Sequence, residues 1–171
     1  MSDLRRPTVA DLDALPPVAA LTATPDLEDM NGHMNVRHHY TIHMDGIAAA
    51  FEDRAGLNQS WIDRTGESAF SVEHHLQFHS EVLIGDALSV HLRTLGRSDK
   101  AIHAMSILLD RTTGKVASTL EFVELYVDLT TRRPTPMPEE LAKQFDDLLA
   151  EAEGLDWDLP RSHELGTSKR R

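Results

Sequence analysis

The sequence predicts an α+β domain in which one long helix covers one face of an antiparallel sheet. Residues 35–54 carry apolar side chains at helical spacing, and several later segments alternate apolar and polar side chains with the period of a strand. The helix comes first, and the strands then follow one another through short turns. We therefore expect an antiparallel meander with the helix packed on one of its faces.

The composition indicates one domain that acts on a small molecule. The 171 residues are enough for a single continuous core. The formal net charge of -11 opposes binding to nucleic acid or to anionic lipid, because both need clustered lysine and arginine. The absence of cysteine excludes disulfides and a thiolate nucleophile. No run of about 18 apolar residues occurs, and the N-terminus has no export pattern, so a cytoplasmic protein without a membrane partner is expected.

The long helix is predicted to begin after Asn35 and to end at Gly56. Asn35 is a suitable N-cap, and glycine readily takes the left-handed conformation that ends a helix. Between these ends, apolar side chains recur at steps of three and four residues and form one stripe: Val36, Tyr40, Met44, Ile47 and Phe51.

Strands are predicted on both sides of this helix in the chain. A short β-compatible run, 18–24, precedes it, and four further segments follow it: 70–78, 88–92, 101–109 and 116–127. Strict alternation in the first of the four places Phe70, Val72, His74, Leu76 and Phe78 on one face. Helical spacing of apolar residues in 139–149 predicts a short C-terminal helix.

These elements divide the chain into three parts. Residues 1–17 are polar and interrupted by proline, which predicts an arm that frays or packs late. Residues 18–152 form the domain, including the C-terminal helix. Residues 153–171 are predicted to be a polar, solvated tail that ends in a short basic run.

The densest group of chemically active side chains lies just before the long helix, in Asp29-Met30-Asn31-Gly32-His33-Met34-Asn35. The N–H groups at a helix start favour an anion or a developing oxyanion. An ionised Asp29 can act as a general base on water, or it can attack an acyl carbonyl directly. On the residues alone, a simpler interpretation also stands: Asp29 and Asn31 form an Asx turn that shapes the loop.

The ten histidines do not indicate a metal site. The chain has no cysteine ligand and no His-Glu-x-x-His pattern, so no metal is expected. His74 lies on the predicted apolar face of its strand. That position is compatible with a hydrogen-bonded core histidine and with a residue that contacts a substrate.

The segment from Asp29 to Asn35, followed by Tyr40, resembles the D-x-N-G-H-M-N…Y signature of the hotdog-fold thioesterases related to 4-hydroxybenzoyl-CoA thioesterase. The likeness continues in four later segments: Phe70 to His75, Gly85-Asp86, Asp99 to His103 and Leu120 to Phe122. Within this family the chain is most similar to the betainyl-CoA thioesterases of carnitine catabolism.

The resemblance implies a helix wrapped by the sheet and a homodimer, or a dimer of dimers, that pairs edge to edge with active sites at the interface. It implies hydrolysis of a small acyl-CoA thioester to free acid and CoA, with no metal or redox cofactor. Asp29 would be the catalytic carboxylate, joined by Asn31 and His33, and the N–H groups near Gly32 to Asn35 would hold the thioester carbonyl. Further substrate contacts would come from Tyr40, Glu73, His74, Lys100 and His103.

Two other functions remain open on the sequence. A hotdog hydratase or dehydratase would use a histidine and a carboxylate as an acid–base pair without releasing a thiol. A non-catalytic acyl-CoA-binding protein is compatible as well, because a fold does not determine a function. Release of free thiol distinguishes hydrolysis from both.

Overall fold

A computed structural model describes residues 7–162 and 165–167. The strands are β1 (Pro17–Thr22), β2 (Glu67–Phe78), β3 (Ala87–Arg97), β4 (Ala101–Asp110), β5 (Lys115–Asp128) and β6 (Arg133–Pro134). The helices are α1 (Val9–Asp13), α2 (Val36–Ala55), α3 (Gln59–Thr65) and α4 (Glu139–Glu153). The sheet has the order β1-β3-β4-β5-β2, and β6 pairs with β5. All pairs are antiparallel, and β1 and β2 form the two edges.

The predicted long helix is confirmed as α2, with both of its predicted ends. The Asn35 side chain accepts a hydrogen bond from the Arg37 N–H at 3.1 Å, and Gly56 has the left-handed φ of 71°. The buried side of α2 packs on the inner face of the sheet through a shared apolar cluster that includes Ile47, Ala50, Phe51, Ile102, Leu120 and Phe122. Each large apolar side chain buried there contributes roughly 1.5–3 kcal/mol to folding.

Helix α2 comes unusually close to β3 at Gly46. A Cβ at this position would lie 2.6 Å from Val90 Cγ1, a separation that side-chain atoms do not tolerate. Glycine inside a helix costs roughly 1 kcal/mol relative to alanine. The close packing against Val90 offsets that cost and fixes the spacing between the helix and the sheet.

A buried polar chain crosses the interface between α2 and the sheet. His39 Nδ1 lies 2.9 Å from Ser118 Oγ, which lies 2.9 Å from His43 Nε2. His43 Nδ1 in turn lies 2.8 Å from Ser106 Oγ. Burial lowers the pKa of His39 to about 4 and that of His43 to about 3, so both rings are neutral at pH 7.

The predicted alternation along β2 is wrong at one point. The register with β5 shifts between Ser71 and Glu73, which marks a bulge. Ala69 packs against the α2 core before the bulge, and Leu76 packs against it after the bulge. Because an extra residue reverses the alternation, Phe70 and His74 lie on opposite faces and not on one shared face.

The predicted solvated tail is instead packed where the structure describes it, and the arm before β1, which was expected to fray or to pack late, is packed as well. Thr8 forms a capping box with Asp11 at the start of α1, and Leu12 and Trp157 are both buried. Together with Leu15 and Leu159 they cover the outer face of β4, which presents Met105, Ile107 and Leu109. An apolar outer face of a sheet must be covered, and that requirement explains the difference. Residues 1–6, 163–164 and 168–171 lie outside the described part of the chain.

Helices α3 and α4 close the inner core at the C-terminal end of α2. Helix α3 was not predicted; Asn58 caps it by accepting the Trp61 N–H at 3.0 Å, and Trp61 is buried. Helix α4 confirms the predicted C-terminal helix and packs Leu141 and Phe145 into the core. Among the described residues, no helix combines the length and the apolarity needed to cross a bilayer.

Candidate active site

The site is built on the loop that leads into α2, and backbone hydrogen bonds fix both sides of this loop. The Met34 N–H donates to Val82 O at 2.8 Å, and the Asn35 N–H donates to Leu27 O at 2.9 Å. The Met34 side chain is buried in the apolar cluster under β1 and β3. The start of α2 is therefore held against the sheet.

Between these anchors the chain makes a tight turn around Asp29. The Asp29 N–H donates to His33 O at 2.9 Å, and the Gly32 N–H donates to Asp29 O at 3.1 Å. Gly32 has a φ of 80°, in the left-handed region that glycine adopts at little cost. The turn holds Asp29 and His33 side by side, with Asp29 Oδ1 3.7 Å from His33 Nδ1.

The carboxylate of Asp29 is oriented by Asn31. Asp29 Oδ1 accepts the Asn31 N–H at 2.8 Å, and Oδ2 accepts the Asn31 side-chain amide at 3.3 Å. The backbone bond from Asn31 is the main cause that lowers the pKa of Asp29 below its usual range. Asp29 is therefore ionised at neutral pH. This arrangement is the predicted Asx turn, and it also keeps the carboxylate in its reactive form.

The amide groups expected to bind a carbonyl oxygen are distributed differently from the prediction. The N–H groups of Gly32, Met34 and Asn35 donate to backbone carbonyls, and the Asn35 side chain is used as the helix cap. The Val36 N–H is the first amide of α2, and helix geometry gives it no acceptor within the helix. Together with the positive end of the helix dipole, it is the donor best placed for a developing oxyanion. Sequence reasoning did not single out Val36, because only its backbone N–H would take part.

Tyr40 and His74 meet one turn further along α2. The Tyr40 hydroxyl lies 3.0 Å from His74 Nδ1, and the His74 ring lies edge-on to Phe122. Burial lowers the pKa of His74, so its ring is neutral at pH 7. His74 Nε2 is buried and has no hydrogen-bond partner in the described structure. The pair therefore brings two predicted substrate contacts together between α2 and the edge strand β2.

The other three predicted contacts lie on the outer face of the sheet, opposite α2. Glu73 and Lys100 line one depression of about 550 Å³, and Lys100 Nζ donates to Pro134 O at 3.3 Å. His103 Nε2 lies 2.8 Å from the buried carboxylate of Glu121. Within one chain, these three side chains therefore do not lie beside Asp29. Within the described residues, no cluster of histidine and carboxylate side chains is arranged to hold a metal.

Comparisons with known proteins agree with this architecture. The family model of the thioesterase-like superfamily matches residues 23–145. A Staphylococcus aureus protein solved in complex with CoA superposes with a TM-score of 0.75 at 23% identity, covering 90% of this chain and 93% of that one. This structural likeness confirms the predicted hotdog fold.

Two relatives are named as betainyl-CoA thioesterases or as fusions that contain one. L-carnitine dehydrogenase/betainyl-CoA thioesterase of Agrobacterium fabrum is 32% identical over 126 residues, which are 74% of this chain and 25% of that protein. The chain thus spans a quarter of that relative. Betainyl-CoA thioesterase of Pseudomonas aeruginosa is 30% identical over 128 residues, which are 75% of this chain and 79% of the relative. The family model, the relatives and the Asp29 loop at the start of α2 agree, and the chain belongs to the thioesterase-like superfamily.

Proposed function

We propose that this protein hydrolyses a small acyl-CoA thioester to the free acid and CoA. The observation that carries the proposal is an ionised carboxylate, Asp29, fixed by Asn31 in the loop that leads directly to the first amide of α2. The names of the relatives make betainyl-CoA the first substrate to test.

In the proposed reaction, the thioester carbonyl oxygen accepts the Val36 N–H. Asp29 then either removes a proton from water as it attacks the carbonyl carbon, or attacks that carbon itself to form an anhydride that water opens. In both routes the C–S bond breaks, CoA leaves as a thiolate that takes up a proton, and water supplies the oxygen of the acid. The helix start stabilises the negative charge that develops on the carbonyl oxygen.

The thioesterase proposal is tested by thiol release, followed with a thiol-reactive dye, from betainyl-CoA, acetyl-CoA and benzoyl-CoA. We expect catalysed release from at least one of them. A hydratase would change the absorbance of an enoyl-CoA without releasing a thiol, and a binding protein would do neither. Binding of these thioesters without any thiol release would contradict the proposal.

We also propose that two protomers pair through β2. This strand is a sheet edge of 12 residues, and an open edge of that length is a template for pairing with another strand. Three of its apolar side chains are exposed, namely Phe70, Val72 and Phe78. Antiparallel pairing of β2 with its symmetry mate would cover this apolar surface and extend the sheet across the dimer.

The pairing is tested with Val72→Lys and the control Leu83→Lys. The two side chains are similarly exposed, at 47% and 49%, but Leu83 lies outside β2. Two lysines brought together at the paired edges would repel one another. In sedimentation velocity experiments we expect a dimer for the wild type and for Leu83→Lys, and a monomer for Val72→Lys. A monomeric wild type, or a Val72→Lys dimer, would show that β2 is not the interface.

A further inference from the structure

One acidic residue lies in a row that is otherwise part of the inner apolar core. Four successive inward side chains of β5 are Leu120, Phe122, Glu124 and Tyr126, and the three other than Glu124 belong to the main core cluster. Glu124 is only 6% exposed. A buried carboxylate needs a compensating group, because moving a charge out of water is unfavourable whereas burying its apolar neighbours is favourable.

Glu124 has little compensation within the described structure. Ser71 Oγ donates to Glu124 Oε1 at 2.8 Å, and no described lysine or arginine forms an ion pair with this carboxylate. Burial raises the pKa of Glu124. The contrast with Glu121 on the opposite face of β5 is clear, because Glu121 accepts the Ser162 N–H and contacts the His103 ring.

Glu124 borders a cavity of about 450 Å³ between α2, α3 and β2. Its apolar walls come from Met44, Ile47, Phe51, Leu57, Ile62 and Ala69, and polar side chains line the rest: Glu52, Asn58, Gln59, Ser68 and Ser71. Of the two carboxylates that line the cavity, Glu52 is exposed to solvent and Glu124 is buried. Apolar walls beside a buried carboxylate match a quaternary ammonium group, which has no N–H to donate and binds through charge and through contacts of its methyl groups.

The position of the cavity along β2 determines which active site it can serve. The start of α2 lies beside the end of β2, where the His39 and Phe78 rings are 5.2 Å apart, whereas the cavity lies beside Ala69 near the beginning of β2. Val36 and Ile47 are separated by roughly 16 Å along the helix axis, beyond the reach of a small acyl group. Antiparallel pairing of β2 with its symmetry mate brings the beginning of one strand beside the end of the other. The cavity of one protomer would therefore adjoin the Asp29 loop of the second.

We propose that Glu124 is the counter-ion for a quaternary-ammonium acyl group, which occupies this cavity while its thioester carbonyl lies at the start of α2 of the other protomer. This inference rests on the proposed thioesterase function and on pairing through β2. Glu124 would then be the residue that makes the protein select a cationic acyl group.

The charge preference is tested with two thioesters of the same shape. Betainyl-CoA carries a trimethylammonium group, and 3,3-dimethylbutanoyl-CoA carries a neutral tert-butyl group in its place. We expect Glu124→Gln to lower kcat/KM for betainyl-CoA by about 30-fold or more, the usual effect of removing one partner of a buried charge pair, and to leave the neutral thioester unaffected. The control Glu121→Gln makes the same change on the opposite face of β5. For this control, the ratio of kcat/KM for betainyl-CoA to kcat/KM for the neutral thioester should stay at the wild-type value.

Each other outcome overturns the inference. Equal losses with both thioesters would show that Glu124 only maintains the fold, and no loss with either would remove it from the acyl site. A wild type that hydrolyses the neutral thioester and not betainyl-CoA would refute the cation site but leave the thioesterase function intact. A wild type that hydrolyses no thioester would refute the function as well.

The cross-subunit geometry is tested with mixed dimers of Asp29→Asn and Glu124→Gln protomers, isolated by two different affinity tags. If one site takes Asp29 and Glu124 from different protomers, the mixed dimer has one site with both replacements and one with neither. We then expect about half of the wild-type activity on betainyl-CoA, although each parent dimer is nearly inactive. A mixed dimer as inactive as its parents would show that the two residues do not act across the interface.

Discussion

Asp29→Asn is expected to lower kcat for thiol release by about a thousandfold or more. The substitution removes the negative charge that a general base or a nucleophile needs. A rate enhancement of about a thousandfold is usual for a residue in either role. The amide oxygen of asparagine can still accept the Asn31 N–H that now binds Asp29 Oδ1 at 2.8 Å. The turn, and with it the start of α2, should therefore remain in place.

The matched control is Asp26→Asn, which makes the same replacement three residues earlier in the chain. Asp26 is an exposed residue of the short 3₁₀ turn before the loop. Its variant should retain wild-type kcat, and both variants should unfold at nearly the same temperature as the wild type. Full activity in a folded Asp29→Asn variant would show that another group performs the chemistry.

Acidification is expected to destabilise the fold steeply below about pH 6.5, because His39 and His43 are buried in their neutral forms. The pKa of His39 is lowered to about 4 and that of His43 to about 3, whereas both titrate near 6.5 in the unfolded chain. Between these values the unfolded state binds more protons, so stability is complete above about pH 6.5 and decreases as the pH falls toward 4 and then 3.

The magnitude follows from the same linkage. Each pH unit below 6.5 lowers the free energy of unfolding by about 1.4 kcal/mol for each imidazole, which amounts to about 4 kcal/mol at pH 5 for the two. That loss is a large part of the 5–15 kcal/mol total of a typical domain. Urea unfolding of the wild type at a series of pH values between 7.5 and 5 measures it directly.

His43→Asn identifies the source of this pH dependence. The variant loses hydrogen bonds to Ser106 and Ser118 and should be less stable at pH 7.5, yet its stability should fall less steeply toward pH 5. His38→Asn, on the same helix but outside the buried chain, should keep the wild-type slope. Equal slopes for the wild type and His43→Asn would show that protonation of His43 does not drive acid unfolding.

Features that depend on a few neighbouring residues could be predicted from the sequence. The ends of α2 follow from Asn35 and Gly56, because a cap and a left-handed glycine act within one helical turn. The Asp29 loop is equally local, since Asn31 and Gly32 form its turn through hydrogen bonds over two or three residues. The candidate catalytic carboxylate and its position before the helix were therefore evident from the sequence.

Features that depend on which side of the sheet a residue faces were decided only by the tertiary structure. The bulge between Ser71 and Glu73 reverses the alternation of β2, so His74 faces α2 whereas Phe70 does not. The register of β5 directs Glu124 into the inner core and Glu121 toward His103 on the outer face. A strand can satisfy its hydrogen bonds in either orientation, and only packing against distant elements selects one. The sequence by itself determined the loop and helix that carry the chemistry, and long-range packing determined the surroundings from which substrate selectivity is inferred.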